Sequence, residues 1–104
     1  MQFIDVMITC PDRETALAIG CACVAERLAA CANIGGEIIS VYRWKGAIEE
    51  AGEIALLLKT RAASFDALAA RIRALRPYET PCIISTELVA IDPDYAAWLE
   101  AETG

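Results

Sequence analysis

Apolar and polar positions alternate with a period of two along several short stretches of the chain and recur every three to four residues along two longer ones. From Phe3 to Thr9, one face carries Ile4, Val6 and Ile8 and the other Phe3, Asp5, Met7 and Thr9, which predicts a strand with two largely apolar faces. Cys10 and Pro11 break it. Asp12 is placed to cap a helix running to about Ala30, with Glu14 in the first turn where negative charge suits the helix dipole. Spacings of four, three and four select Leu17, Cys21, Val24 and Leu28 as its core stripe, while Ile19, Cys23 and several alanines spread apolar surface around the cylinder.

The stretch Asn33 to Trp44 is a second extended segment, bent or bulged at Gly35 and Gly36. Beyond the glycines, Ile38, Ser40, Tyr42 and Trp44 share one face and Glu37, Ile39, Val41 and Arg43 the other. Gly46 and the run Glu49 to Gly52 signal a turn, and Glu53 to Thr60 follows as an antiparallel partner whose run Ile54 to Leu58 predicts a central strand buried on both sides. Ser64 is placed to cap a second helix with Phe65, Leu68, Ile72 and Leu75 inward, and Pro77 stops it. Pro81 opens a last edge strand, Cys82 to Val89, and Asp92 with Pro93 starts a short helix carrying Tyr95, Trp98 and Leu99. The order is βαββαβ plus a C-terminal helix, an α+β, ferredoxin-like antiparallel sheet with both main helices on one face.

Length and composition add oligomerisation to this picture. Residues 1–104 make one domain, and 57% apolar residues exceed what a chain of this size hides when it folds alone. The sheet face away from the helices, with Phe3, Met7 and Leu57, therefore calls for a second copy, and the expected state is an obligate oligomer. A net charge of -6 excludes nucleic acid and anionic membranes as first partners. The N-terminal stretch has no secretory pattern, and no apolar run approaches the roughly 20 residues that span a bilayer. Five cysteines without a paired framework read as thiols in a reducing compartment, which places the protein in the cytoplasm.

The motifs Thr9-Cys10-Pro11-Asp12, Glu26 to Asn33, Tyr42-Arg43-Trp44-Lys45-Gly46, Leu58-Lys59-Thr60 and Pro77-Tyr78-Glu79-Thr80-Pro81, in this order over nearly the whole chain, resemble the CutA family of divalent-cation tolerance proteins. The resemblance implies a ferredoxin-like protomer in a tight, PII-like homotrimer and a cytoplasmic role in metal-ion response, often described as copper binding. Where members of that family commonly carry histidine before the Pro-Tyr segment this chain has Arg76, and it has no histidine at all. Where they usually have an acidic residue after the second proline it has Cys82.

Two groups of residues are candidates for binding. Cys10, between a strand end and a helix N-terminus, and Cys31, at the start of the second strand, are the candidate metal ligands; thiolates favour Cu(I), so copper or another divalent cation is the expected cofactor. Each also reads as a small core residue, and within one ferredoxin-like chain the two need not meet, so ligands from different subunits are an alternative. Cys21 and Cys23 point about 200° apart on a helix and read as core. Glu49, Glu50 and Glu53 read as a solvated hairpin tip. Tyr42, Trp44, Lys59, Tyr78 and Glu79 form the second group: aromatic walls with one cation and one carboxylate suit a small anionic or zwitterionic ligand in an intersubunit cleft, or aromatic packing and an ion pair at a trimer contact. Without histidine, a Ser-His-Asp set or a phosphate loop, the chain is not read as an enzyme. A PII-like signalling or scaffold trimer that binds a small metabolite at the subunit cleft is the alternative to metal response.

Overall fold

The computed structural model describes residues 1–76 and 79–104. Strands β1 (Phe3–Cys10), β2 (Cys31–Trp44), β3 (Ala47–Arg61) and β4 (Ile83–Glu87) form one antiparallel sheet in the order β2-β3-β1-β4. Helix α1 (Arg13–Ala25) follows β1, one turn of 3-10 helix (Ala62–Ser64) leads into α2 (Phe65–Leu75), and α3 (Pro93–Ala101) ends the chain. This is the ferredoxin-like βαββαβ arrangement with an added C-terminal helix. Pro77 and Tyr78 lie outside the described residues.

The alternation of β1 divides the molecule. Ile4, Val6, Ile8 and Cys10 join Ile54, Leu56 and Leu58 of β3 beneath α1 and α2, forming the main core with Ala16, Ile19, Cys23, Leu68 and Ile72. On the opposite face Phe3 packs under α3 with Ala30 and Leu99, a second small core. The rest of that face is left open by the chain, so the Ile54 to Leu58 run is buried on one side only, and Leu57 stays partly exposed.

Helix α1 departs from expectation twice. It buries Ala16, Ile19, Gly20 and Cys23, while Leu17 is 53% exposed and Val24 and Cys21 also face outward. The small-residue face wins because it lets the helix descend onto the sheet: a Cβ at Gly20 would stand 3.0 Å from the Ala32 Cβ. The helix also stops at Ala25 rather than Ala30. Arg27 takes a left-handed φ of 61°, and the amides of Arg27 and Leu28 donate to the carbonyls of Val24 and Cys23 in a Schellman closure.

The caps hold at both aspartates. Asp12 Oδ1 accepts from the Thr15 amide at 2.7 Å, and Asp92 accepts from the amides of Asp94 and Tyr95 ahead of Pro93. Ser64 does not cap α2; its backbone is already helical at the end of the 3-10 turn. The edge strand β4 is shorter than expected, pairing with β1 from Ile83 to Glu87.

Of the two turn signals, Gly46 is the one that forms the hairpin turn: it lies at Lys45 and Gly46, with φ of 50° and 82°, and Glu49 to Gly52 is part of β3. Positive φ at both central residues gives a primed turn that follows the natural strand twist. β3 therefore starts at Ala47, and beyond the last β1 pair, Cys10 with Ile54, the residues of β2 and β3 pair only with each other. This two-stranded ribbon extends the molecule to 45 Å along its long axis.

Candidate functional site

The bulge in β2 builds the site. Ile34 pairs with Leu56 but Glu37 pairs with Ile54, so β2 spends one residue more than β3 across Gly35 and Gly36. One extra residue reverses which side chains face which way. Ser40, Tyr42 and Trp44 are thereby brought to the open face of the sheet, the side of Thr9, Ala51 and Glu53.

Where the ribbon leaves the sheet, these residues line a cleft of about 670 Å³ together with Arg76, Glu79, Thr80 and Cys82. Two charged residues lie deep in it: Arg76 is 6% exposed and Glu53 9%. The Arg76 guanidinium donates to the Cys82 carbonyl at 3.2 Å and to Thr9 Oγ1 at 3.4 Å, which sets it against the cleft wall. At the rim, Lys45 in the hairpin turn lies 3.7 Å from the Glu79 carboxylate and 5.6 Å from the centroid of the Trp44 ring. Both members of that pair are exposed, so water screens it and it contributes little to stability.

Of the five residues expected in a cleft, the structure unites Tyr42, Trp44 and Glu79. Tyr78 lies outside the described residues. Within one copy Lys59 lies apart from these three: its register partners are Asp5 and Cys31, and its Nζ donates to Asn33 Oδ1 at 2.7 Å. It stands six residues along β3 from Glu53, roughly 20 Å away at strand rise. The turn position decides this, because a hairpin closed at Lys45 and Gly46 pairs Tyr42 with Glu49.

The thiols are distributed over both faces. Cys10 is fully buried on the helix side, and burial pushes its thiol up, with the Arg76 charge opposing and Asp12 and Glu53 reinforcing. The first-turn amide of α1 that favours an anion is already taken by Asp12, whose carboxylate is held below its ordinary range by the Thr15 amide. Of the two readings of Cys10, metal ligand or small core residue, its burial within one chain favours the core residue. Cys31 lies on the opposite face, level with Asp5 and five strand positions from Cys10, about 17 Å along the sheet. The two do not meet within one chain. Cys23 is core, its thiol pushed up to about 11 chiefly by burial, whereas Cys21 is exposed and not core. Cys82 is exposed at the cleft.

Among the described residues no group of three or more Cys, Asp or Glu side chains is placed to hold a metal ion. With no histidine in the chain, the donors of a single copy do not fit a metal centre. The residues that sequence reasoning missed in the cleft are Thr9, Ser40, Glu53, Arg76, Thr80 and Cys82. Strand alternation puts Ser40 beside Tyr42 and Trp44, but it leaves Glu53 at the hairpin tip and says nothing of where Arg76 points, and only register and burial place them.

A four-stranded sheet of this order, with α1 and α2 on one face and a long ribbon with a cleft at its root, defines a ferredoxin-like α+β domain. The profile of the CutA1 divalent ion tolerance protein family matches residues 4–102, and the chain belongs to that family. It is 42% identical over 99 residues to the divalent-cation tolerance protein CutA of Thermus thermophilus, covering 95% of this chain and 96% of that protein. It is 38% identical to the mouse protein CutA over 96 residues, 92% of this chain and 54% of the longer mouse protein. The solved structure of the Thermus thermophilus divalent cation tolerance protein superposes with a TM-score of 0.96 at 41% identity, covering 98% of this chain and 99% of the other. No helix among the described residues is long and apolar enough to cross a membrane.

Proposed function

We propose that three copies of this chain assemble into a PII-like homotrimer that serves divalent-cation tolerance in the cytoplasm by binding rather than catalysis. The family supports the tolerance role. The observation that carries the assembly is the pair of apolar surfaces one copy leaves open. On the sheet, Met7, Leu57 and Ile84 share a row facing away from the helices. On the ribbon, Ile39 is 78% and Ile48 69% exposed. At roughly 25 cal/mol per Å² of apolar area, covering them is the largest favourable term available to this chain beyond its own folding. Five free thiols support a reducing compartment, and a net charge of -6 argues against nucleic acid and membrane partners.

Copper is the proposed metal, because the soft donors of this chain are thiols. Of the two thiols singled out in the sequence, Cys10 is enclosed in its own core, while Cys31 is half-buried on the sheet face away from α1 and α2, beside Tyr95. A copper site in this reading draws Cys31, and Cys82 at the cleft, from more than one chain. Titrating the reduced protein with Cu(I) against a competing chelator tests it: the wild type binds and the Cys31→Ser, Cys82→Ser double variant loses binding. Equal, weak binding by both defeats the thiol site.

The second reading is a PII-like module that binds a small metabolite in the cleft. The pairing of a buried arginine and a buried glutamate with two aromatic side chains in one cavity favours it. Trp44 reports on occupancy, so a ligand screen by fluorescence separates this reading from metal binding at Cys31.

A further inference from the structure

The charges in the cleft restrict what it can hold. Thr9 pairs with Ala55, and Glu53 is the next residue of β3 on the same face, a diagonal neighbour whose Cβ lies roughly 7 Å from that of Thr9. The Arg76 guanidinium lies 3.4 Å from the Thr9 hydroxyl. One threonine is therefore flanked by a guanidinium and a carboxylate, both drawn almost wholly out of bulk water. A simple anion placed there meets Arg76 but also the Glu53 and Glu79 carboxylates; a metal cation or an amine meets the carboxylates but also Arg76. In a low-dielectric cavity each mismatch weakens binding and acts as a filter against that class. A ligand carrying both charges a few ångströms apart meets a complementary charge at each end.

The walls specify the remainder of the ligand. Tyr42 and Trp44 project from alternate positions of β2 onto the same side of the cleft and offer two aromatic surfaces. A volume of about 670 Å³ is in the range of small-molecule sites and leaves space for a side chain beyond the two charges.

Resting on the reading of the cleft as a small-ligand site, we infer that its ligand class is the free α-amino acid with an aromatic or large apolar side chain. The α-carboxylate lies on Arg76, the α-ammonium on Glu53, and the side chain against Tyr42 and Trp44. The carboxylate suits the guanidinium fork, whose charge-assisted hydrogen bonds are the strongest the cleft can make. The ammonium meets Glu53 under the same shielding from water.

The test uses the full, reduced chain carrying Trp98→Phe, which leaves Trp44 as its one indole and changes a residue remote from the cleft. L-phenylalanine, L-leucine and L-methionine are titrated by Trp44 fluorescence and by calorimetry, beside 3-phenylpropionate, which lacks the amine, and 2-phenylethylamine, which lacks the carboxylate. The expected result is saturable binding of at least one amino acid, with L-phenylalanine at least tenfold tighter than either single-charge analogue. Glu53→Gln then removes the preference over 3-phenylpropionate, and Arg76→Gln removes that over 2-phenylethylamine. If Arg76→Gln fails to fold, the analogues and Glu53→Gln decide alone. Equal binding of 3-phenylpropionate and L-phenylalanine overturns the amino-acid assignment while leaving a small-ligand cleft in place. No response of Trp44 or heat from any probe overturns the assignment and the small-ligand reading together.

Discussion

Gly20 of α1 and Ala32 of β2 set the depth at which the first helix lies on the sheet, with a separation of 3.0 Å between the Ala32 Cβ and the place a Gly20 Cβ would occupy. The neighbour is a Cβ anchored directly to backbone, so it cannot swing aside. Gly20→Val is expected to lower unfolding stability by about 1–3 kcal/mol through overpacking. Leu17→Ser, on the outward face of the same helix, is expected to stay within about 0.5 kcal/mol of wild type. Denaturant unfolding checks both, and a Leu17→Ser cost as large as that of Gly20→Val would show that α1 is docked by its other face.

The buried thiols make stability depend on alkaline pH. Cys23 has its thiol pushed up to about 11 from an ordinary value of 9.0, and Cys10 is raised in the same direction. A raised value in the folded state means that the folded chain keeps a proton which the unfolded chain releases. The contribution is fully present below about pH 9 and is lost as pH climbs towards 11. For one proton the slope reaches about 1.4 kcal/mol per pH unit. Cys23→Ala is expected to flatten the stability curve across this window, whatever it does to the neutral-pH value. Superimposable slopes for variant and wild type would contradict the shift.

Arg61 ties the C-terminal helix to β3. Its Nε donates to Thr103 Oγ1 at 2.8 Å, and its Nη2 donates to the carbonyls of Glu100 and Thr103 at 2.7 Å each. Arg27 adds bonds to the carbonyls of Ala101 and Gly104. Both arginines thus satisfy carbonyls at and beyond the end of α3, where positive charge also offsets the helix dipole. Arg61→Ala is expected to cost about 1.5–3 kcal/mol and to accelerate amide exchange across residues 93–104. Exchange in β1 and β3 should change much less, and uniform acceleration would deny α3 this separate anchor.

The open thiols should be the reactive ones. In the reduced native protein at neutral pH, iodoacetamide is expected to modify Cys21 and Cys82, both exposed, ahead of the buried Cys10 and Cys23. Mass mapping of the modified peptides reads the order. Early modification of Cys10 would favour its reading as a reactive thiol or metal ligand over that of a core residue.

The sequence shows its strands and caps because their signals are local: alternation in β1, the paired glycines of the β2 bulge, and aspartates before Arg13 and Pro93. It misleads where two local patterns compete. Helix α1 is apolar nearly all round, so Leu17, Cys21 and Val24 form as good a stripe as Ala16, Ile19 and Cys23, and only contact with Ala32 selects between them. Of the two turn signals, Gly46 marks the turn, whereas the run Glu49 to Gly52 lies inside β3. Reading Glu49 to Gly52 as part of the turn leaves Glu53 at the hairpin tip, away from the cleft. Tyr42 and Trp44 were placed on one face because alternation along β2 relates them directly, whereas the burial of Arg76 follows from tertiary packing that no neighbouring residue announces.

Sedimentation equilibrium of the reduced chain at micromolar concentration tests most directly whether copies share the surfaces that one chain leaves open. The proposed homotrimer predicts a species of three times the 11.2 kDa chain mass, and Ile39→Asp with Ile48→Asp on the ribbon is expected to shift it towards smaller ones. A folded wild-type particle of 11.2 kDa would contradict the account, because Leu57, Ile39 and Ile48 would then face water in the working protein.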